Sequence, residues 1–178
     1  MLISLGGCAL PQTPQSSQSS QAPQTSQSGS TTIQWTSDDG QNAEKMAQEI
    51  IRCLINKDKE SFNALFCKPI RETECFTEYV GNLYSMFNYD SYIGYRCDDM
   101  RSTFSKEGER EVFRQLQAEI IYIEVPMPNG EDTRFYGLEW YWVLTCEDDP
   151  ELVGIHQLTI RLLNTDHSIT VGNQNNLP

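Results

Sequence analysis

The sequence predicts an α+β domain, three N-terminal helices packed on a curved antiparallel sheet of four to five strands. Two patterns carry this expectation. Between Ala43 and Phe87 the apolar residues recur every three or four positions, the period of a helix face. After Gly94 they alternate along runs separated by turn-forming residues, the period of half-buried strands. Helices first and strands afterwards place the helices on one face of the sheet.

Ser37, Asp38 and Asp39 offer side-chain oxygens to cap a first helix of about 39–56, whose stripe is Ala43, Met46, Ala47, Ile50, Ile51, Leu54 and Ile55. Asn56-Lys57-Asp58 breaks it, and Asp58 is placed to cap a short second helix carrying Phe62, Leu65 and Phe66, with Pro69 expected to end it. A third helix, about 72–87, sets Phe76, Val80, Leu83, Tyr84 and Phe87 on one side. After a turn at 88–94, strands are expected at 95–104, 111–125, 133–147 and 152–163, with a last one at 168–172. The compositions Pro126-Met-Pro-Asn-Gly130 and Glu147-Asp-Asp-Pro150 read as turns between antiparallel neighbours. Strict alternation puts Tyr136, Leu138, Trp140, Trp142, Leu144 and Cys146 on one face of the third strand. It puts Leu152, His156, Leu158, Ile160 and Leu162 on one face of the fourth.

The segment ahead of the domain has a different chemistry. Leu5-Gly6-Gly7-Cys8 resembles a bacterial lipobox, which makes Cys8 the expected lipidation site. Only Leu2, Ile3 and Leu5 precede it as large apolar residues, and no basic residue opens the chain, so the leader is expected to begin upstream of Met1. Residues 1–8 are thus read as a truncated signal and 9–36 as a disordered Gln/Ser/Thr/Pro-rich tether. Residues 37–172 form the α+β domain and 173–178 a tail. The tether lacks the apolar surface needed to offset the entropy of ordering, and as a coil it would span roughly 25–30 Å. Anchoring by lipid places the domain outside the cell membrane.

No charged residue occurs before Asp38, so the net charge of −12 sits on the domain. That charge repels phosphate backbones and anionic membrane surfaces, and no Lys/Arg cluster offsets it, which argues against nucleic acid and against membrane binding by any route but the lipid. The six cysteines stand at 8, 53, 67, 75, 97 and 146. With Cys8 lipidated, an odd number remains, so the pairing is open. Cys67 and Cys75 could close a short loop or stay as thiols. Their spacing shows no zinc pattern, and neither a metal nor another cofactor is expected.

The run Ile50-Ile51-Arg-Cys-Leu-Ile-Asn-Lys57-Asp58-Lys-Glu-Ser-Phe62-Asn-Ala-Leu65-Phe66 resembles the nuclear-transport-factor-2-like superfamily. In those domains three helices fill a bent antiparallel sheet, and the resemblance covers about residues 38–172. Together with the lipobox and tether, the chain is similar to domain-of-unknown-function family 5104, lipoproteins of this cone shape. The resemblance implies a pocket between helices and sheet.

In such a cone, Tyr84, Tyr92, Tyr122, Tyr136, Trp140, Trp142 and His156 are the expected ligand-pocket residues, with aromatic walls suited to a small apolar or sugar-like compound. No nucleophile elbow, zinc motif or phosphate loop is present, so a binding or protein-interaction role is favoured over catalysis. The enzymatic alternative, an isomerase, dehydratase or cyclase, rests on His156 as acid or base, with Glu124 a further candidate and Glu139 expected to point away. His167 is read as a solvated loop residue. On strict alternation Ile121, Ile123, Tyr141, Val143, Val153 and Ile155 share the opposite sheet face, an apolar patch suited to a homodimer or a protein partner.

Overall fold

A computed structural model describes residues 32–33, 37–130 and 132–173. Cys8, residues 9–31 and 34–36 of the expected tether and the tail from 174 lie outside the described residues, while Thr32 and Ile33, expected in the tether, form a short strand. The fold is α+β, as expected, with four helices and a six-stranded sheet in place of three helices and four to five strands. In chain order the elements are β1 (Thr32–Ile33), α1 (Ser37–Asn56), α2 (Lys59–Ala64), α3 (Lys68–Arg71) and α4 (Phe76–Met86). Then follow β2 (Gly94–Glu107), β3 (Arg110–Pro126), β4 (Thr133–Cys146), a 3-10 turn (Pro150–Leu152), β5 (Gly154–Leu162) and β6 (Ser168–Gly172). The strands lie side by side in sequence order and every neighbouring pair is antiparallel. Among the described residues no helix is long and apolar enough to cross a membrane.

The extra helix, α3, has a simple cause. Pro69 was expected to stop a helix, but it stands in the first turn of one, where its missing N–H is not needed. What ends α2 is the extended stretch around Phe66, which lies in parallel beside Ile155. The backbone N–H of Cys67 donates to the Ile155 carbonyl at 3.1 Å, and that of Ile155 donates to the Leu65 carbonyl at 2.8 Å. This strap ties the helical layer to the start of β5.

Elsewhere local chemistry sets the ends. Lys57 adopts a left-handed conformation (φ 57°) that terminates α1, and Asp58 accepts from the Ser61 N–H at 3.0 Å to start α2. Asp39, 1% exposed in the first turn of α1, meets Arg114 of β3 at 2.5 Å, which fixes the start of the helix over the sheet.

One core joins the layers. Ala43, Ala47, Ile50, Ile51 and Leu54 of α1, Phe62 and Phe66 with their edge-to-face rings, and Val80, Leu83 and Phe87 pack on Ala118, Ile120, Ile123, Leu138, Trp140, Leu158 and Ile160. Strict alternation fails in β3. The pairing with β4 steps from Ile120↔Leu138 to Ile123↔Tyr136, so one additional residue bulges out. Below the bulge the even residues Leu116, Ala118 and Ile120 are buried, and above it the odd residues Ile123 and Val125. A second step, from Tyr141↔Gln157 to Trp142↔Ile155, leaves His156 as an additional residue in β5 and shifts the parity of that strand.

Two glycines are demanded by close approach. A Cβ on Gly154 (φ 133°) would lie 2.5 Å from the Cys67 nitrogen, and one on Gly172 (φ 84°) 2.1 Å from the His156 carbonyl oxygen. Gly154→Ala and Gly172→Ala are each expected to cost about 2 kcal/mol or more in urea unfolding, from strained φ and backbone collision. Gly81→Ala, with nothing within 4 Å and a helical backbone in α4, is expected to be neutral or stabilising by about 0.5–1 kcal/mol. Equal effects at the three positions would contradict the strap geometry.

Candidate functional site

The seven residues expected to line one interior pocket occupy three different environments. Trp140 (0% exposed), Tyr136, Tyr84 and His156 are buried in packed structure, and Trp142 is half-buried against the core. Tyr92 is 44% exposed on the loop before β2, its ring beside that of Tyr95. Tyr122 is half-buried and meets the ring of Phe135 edge-on. The space between helices and sheet is therefore occupied by side chains where the sequence reading expected a ligand.

The buried hydroxyls act as fasteners. Tyr84 of α4 donates at 3.2 Å toward the carbonyls of Cys53 and Asp58, linking α4 to the α1–α2 turn. Lys57 donates to the Tyr89 carbonyl at 2.8 Å across the same seam. Burial, reinforced by the Tyr89 hydroxyl, pushes the Tyr136 phenol up to about 12. Burial raises the Cys53 thiol to about 11 and the Cys97 thiol to about 12, with the Glu44 carboxylate adding to the latter. Thiols held protonated in this way are structural groups. All five cysteines of the domain are free, and Cys67 and Cys75 cap α3 and α4 and are not bridged. Among the described residues no group of three or more His, Cys, Asp or Glu is placed to hold a metal ion.

His156 is 1% exposed, and its Nε2 lies 2.7 Å from the Leu152 carbonyl while Nδ1 is buried without a partner. The contact makes Nε2 the protonated nitrogen of a neutral ring. A substrate has no approach to it in this conformation. Of the two carboxylates considered beside it, Glu124 is half-buried and pairs across the ladder with Gly94 and Phe135. Glu139 points away from the core as expected and accepts from Gln117 Nε2 at 2.9 Å.

The expected apolar patch is corrected in a similar way. Ile123, Val143 and Ile155 are fully buried, Ile121 and Tyr141 are half-buried, and Val153 alone of the six is exposed. The bulge in β3 turns Ile123 inward, and the strap from Leu65 and Cys67 covers Ile155. What occupies the face beside Glu139 is a polar ladder. Gln117 also donates to the Tyr141 hydroxyl at 2.8 Å, Arg161 donates to Glu119 at 2.7 Å, and Thr159 meets Thr170 at 2.9 Å. The six residues thus do not share one exposed apolar face.

Among the described residues, two open clefts combine apolar walls with polar groups. One, about 430 Å³, lies at the β2–β3 hairpin end of the sheet. Phe113, Val112, Cys146 and Leu152 give it apolar walls, Thr103, Ser105 and Gln115 offer hydrogen bonds, and Asp148 and Asp149 stand on the turn above. Cross-strand pairing of Ser105 with Phe113, and of Phe113 with Cys146, sets these side chains on one surface. The second, about 320 Å³, lies where α4 ends against β4, β5 and β6, and includes Tyr136 of the expected set. The sequence reading took Glu147-Asp-Asp-Pro150 as a turn only. The signal it passed over was the apolar and polar mixture of Val112, Phe113 and Leu152 on either side of it.

Burial pushes the His156 imidazole below its usual value, while the Leu152 carbonyl works more weakly in the other direction. An unfolded histidine gains its proton near pH 6.5, but the folded one resists protonation until lower pH. Stability is thus full above about pH 6.5 and falls as pH drops below it, until the folded ring is itself protonated. Urea unfolding of the wild type and His156→Gln is expected to show this loss in the wild type alone. A pH-independent difference between them would contradict the neutral buried ring.

A family model described as Domain of unknown function (DUF5104) matches residues 49–167, from the middle of α1 to the turn before β6. No curated protein matches the chain.

Proposed function

The chain belongs to the DUF5104 family of domains of unknown function, and from that premise we propose that it is a non-enzymatic binding module held outside the cell by a lipid on Cys8. In this reading the residues ahead of β1, from 9 to 31, are the tether, and the domain is a variant of the nuclear-transport-factor-2-like cone with its interior filled. Helices preceding a sequentially ordered antiparallel sheet, and bulges that bend its long strands, support the cone.

The observation that carries the binding reading is the cleft at the sheet end. Its volume of about 430 Å³ falls within the range of sites for small ligands, and such sites combine apolar walls with a few polar groups. The ligand is a small apolar compound, or an apolar side chain of a partner, whose polar end meets Ser105, Gln115 or Asp148. His156, the acid or base of the enzymatic alternative, would first have to be uncovered.

Two experiments test the two halves of this reading. Amide resonances of Ser105, Phe113 and Leu152 are expected to shift on titration with millimolar small aromatic and branched aliphatic compounds. Leu152→Glu is expected to weaken the response about tenfold or more, since it places a charge on an apolar wall. Silence across the panel would remove the cleft as a binding site. For the anchor, the chain expressed behind a complete leader is expected in the membrane fraction and its Cys8→Ala form in the soluble one. A membrane-bound Cys8→Ala would contradict lipidation.

A further inference from the structure

We propose that the second cleft, between the end of α4 and the β4–β6 end of the sheet, binds a small apolar carboxylate such as a medium-chain acid. The site is independent of the sheet-end cleft and rests on different residues. Met86, Tyr136, Leu162 and Ile169 form its apolar floor, and Arg134, His167 and Ser168 are its exposed groups. A volume of about 320 Å³ stands at the small end of the range of ligand sites.

The charge at the mouth decides the ligand class. Arg52, Arg110, Arg114 and Arg161 each hold a carboxylate of the chain. Arg134 holds none among the described residues; its guanidinium sits against the Tyr136 and Tyr89 hydroxyls, with Nη1 3.4 Å from the latter. That hydroxyl lies 3.5 Å from the Tyr136 hydroxyl, which donates to the Met86 carbonyl at 3.1 Å. The aromatic seam thus fixes the position of the guanidinium at the cleft while leaving most of its five N–H groups for a ligand. A guanidinium so placed matches a carboxylate with two parallel hydrogen bonds. His167 and Ser168 add a second and a third polar contact beside it, and an alkyl tail would cover Leu162, Ile169 and Met86. An ammonium ligand would meet Arg134 as a like charge, and an alcohol would forgo the paired bonds.

The test is calorimetric titration of the domain with sodium octanoate, octan-1-ol and octylamine, with methyl resonances of Met86, Leu162 and Ile169 followed in parallel. Octanoate is expected to bind one to one and shift those methyls, octanol to bind more weakly, and octylamine not to bind. Arg134→Gln is expected to weaken octanoate about tenfold or more, the loss of a charge-assisted pair. His167→Gln provides a second variant, and Leu152→Glu, in the other cleft, is expected to leave octanoate affinity unchanged. Octylamine or octanol binding as tightly as octanoate, no loss in either variant, or no octanoate binding in the millimolar range would each overturn the proposal.

Discussion

The sorting of this domain into inside and outside depends on one additional residue in β3, between Ile120 and Ile123. Side chains on a strand alternate, so a single uninterrupted register would direct Leu116, Ala118 and Ile120 to the helices and leave Ile123 and Val125 facing away. The bulge brings both sets to one face. Burying a large aliphatic side chain is worth about 1.5–3 kcal/mol, whereas a missing ladder hydrogen bond costs about 0.5–1.5 kcal/mol, so the irregular strand is the more stable arrangement. Ile123 and Val125 are accordingly at 0% exposure.

Several features of the site follow from that register. With Ile120 and Ile123 both pointing in, they join Trp140, Tyr136 and Phe87 in one core, so side chains of the described residues occupy the positions where a ligand was expected. The outer face receives Gln117, Glu139, Tyr141 and Arg161 in place of an aliphatic patch. Accessible apolar surface is displaced to the two ends of the sheet, where strands part from their neighbours or from the helices. One end carries Asp148 and Asp149, the other Arg134 and His167, so the two clefts differ in the charge they present.

Much of the fold was legible in the sequence because periodicity survives wherever a strand or helix is regular. The stripe from Ala43 to Ile55 is α1, Asp58 is the cap it promised to be, and each of the five longer strands falls within three residues of its expected ends, β5 starting two residues late because a 3-10 turn precedes it. The misreadings occur where a local rule has two outcomes. Pro69 both ends and begins helices, and its neighbours chose the second. β1, two residues long and paired only through Thr32 and Ile33, is too short for any pattern. Parity arguments for Ile123, Val143 and Ile155 failed because bulges and the strap from Leu65 to Cys67 are set by tertiary contacts that no short window of sequence contains. The clefts were invisible for the same reason, since Ser105, Phe113 and Cys146 meet only through cross-strand pairing.

Peptide-resolved thiol labelling of Ile121→Cys and Ile123→Cys in the folded domain tests the register directly. The bulge predicts that a cysteine at 121 reacts readily under native conditions while one at 123 is protected until the domain unfolds. Equal reactivity at both positions, as an unbroken alternation requires, would contradict it, and with it the filled interior and the placement of both clefts.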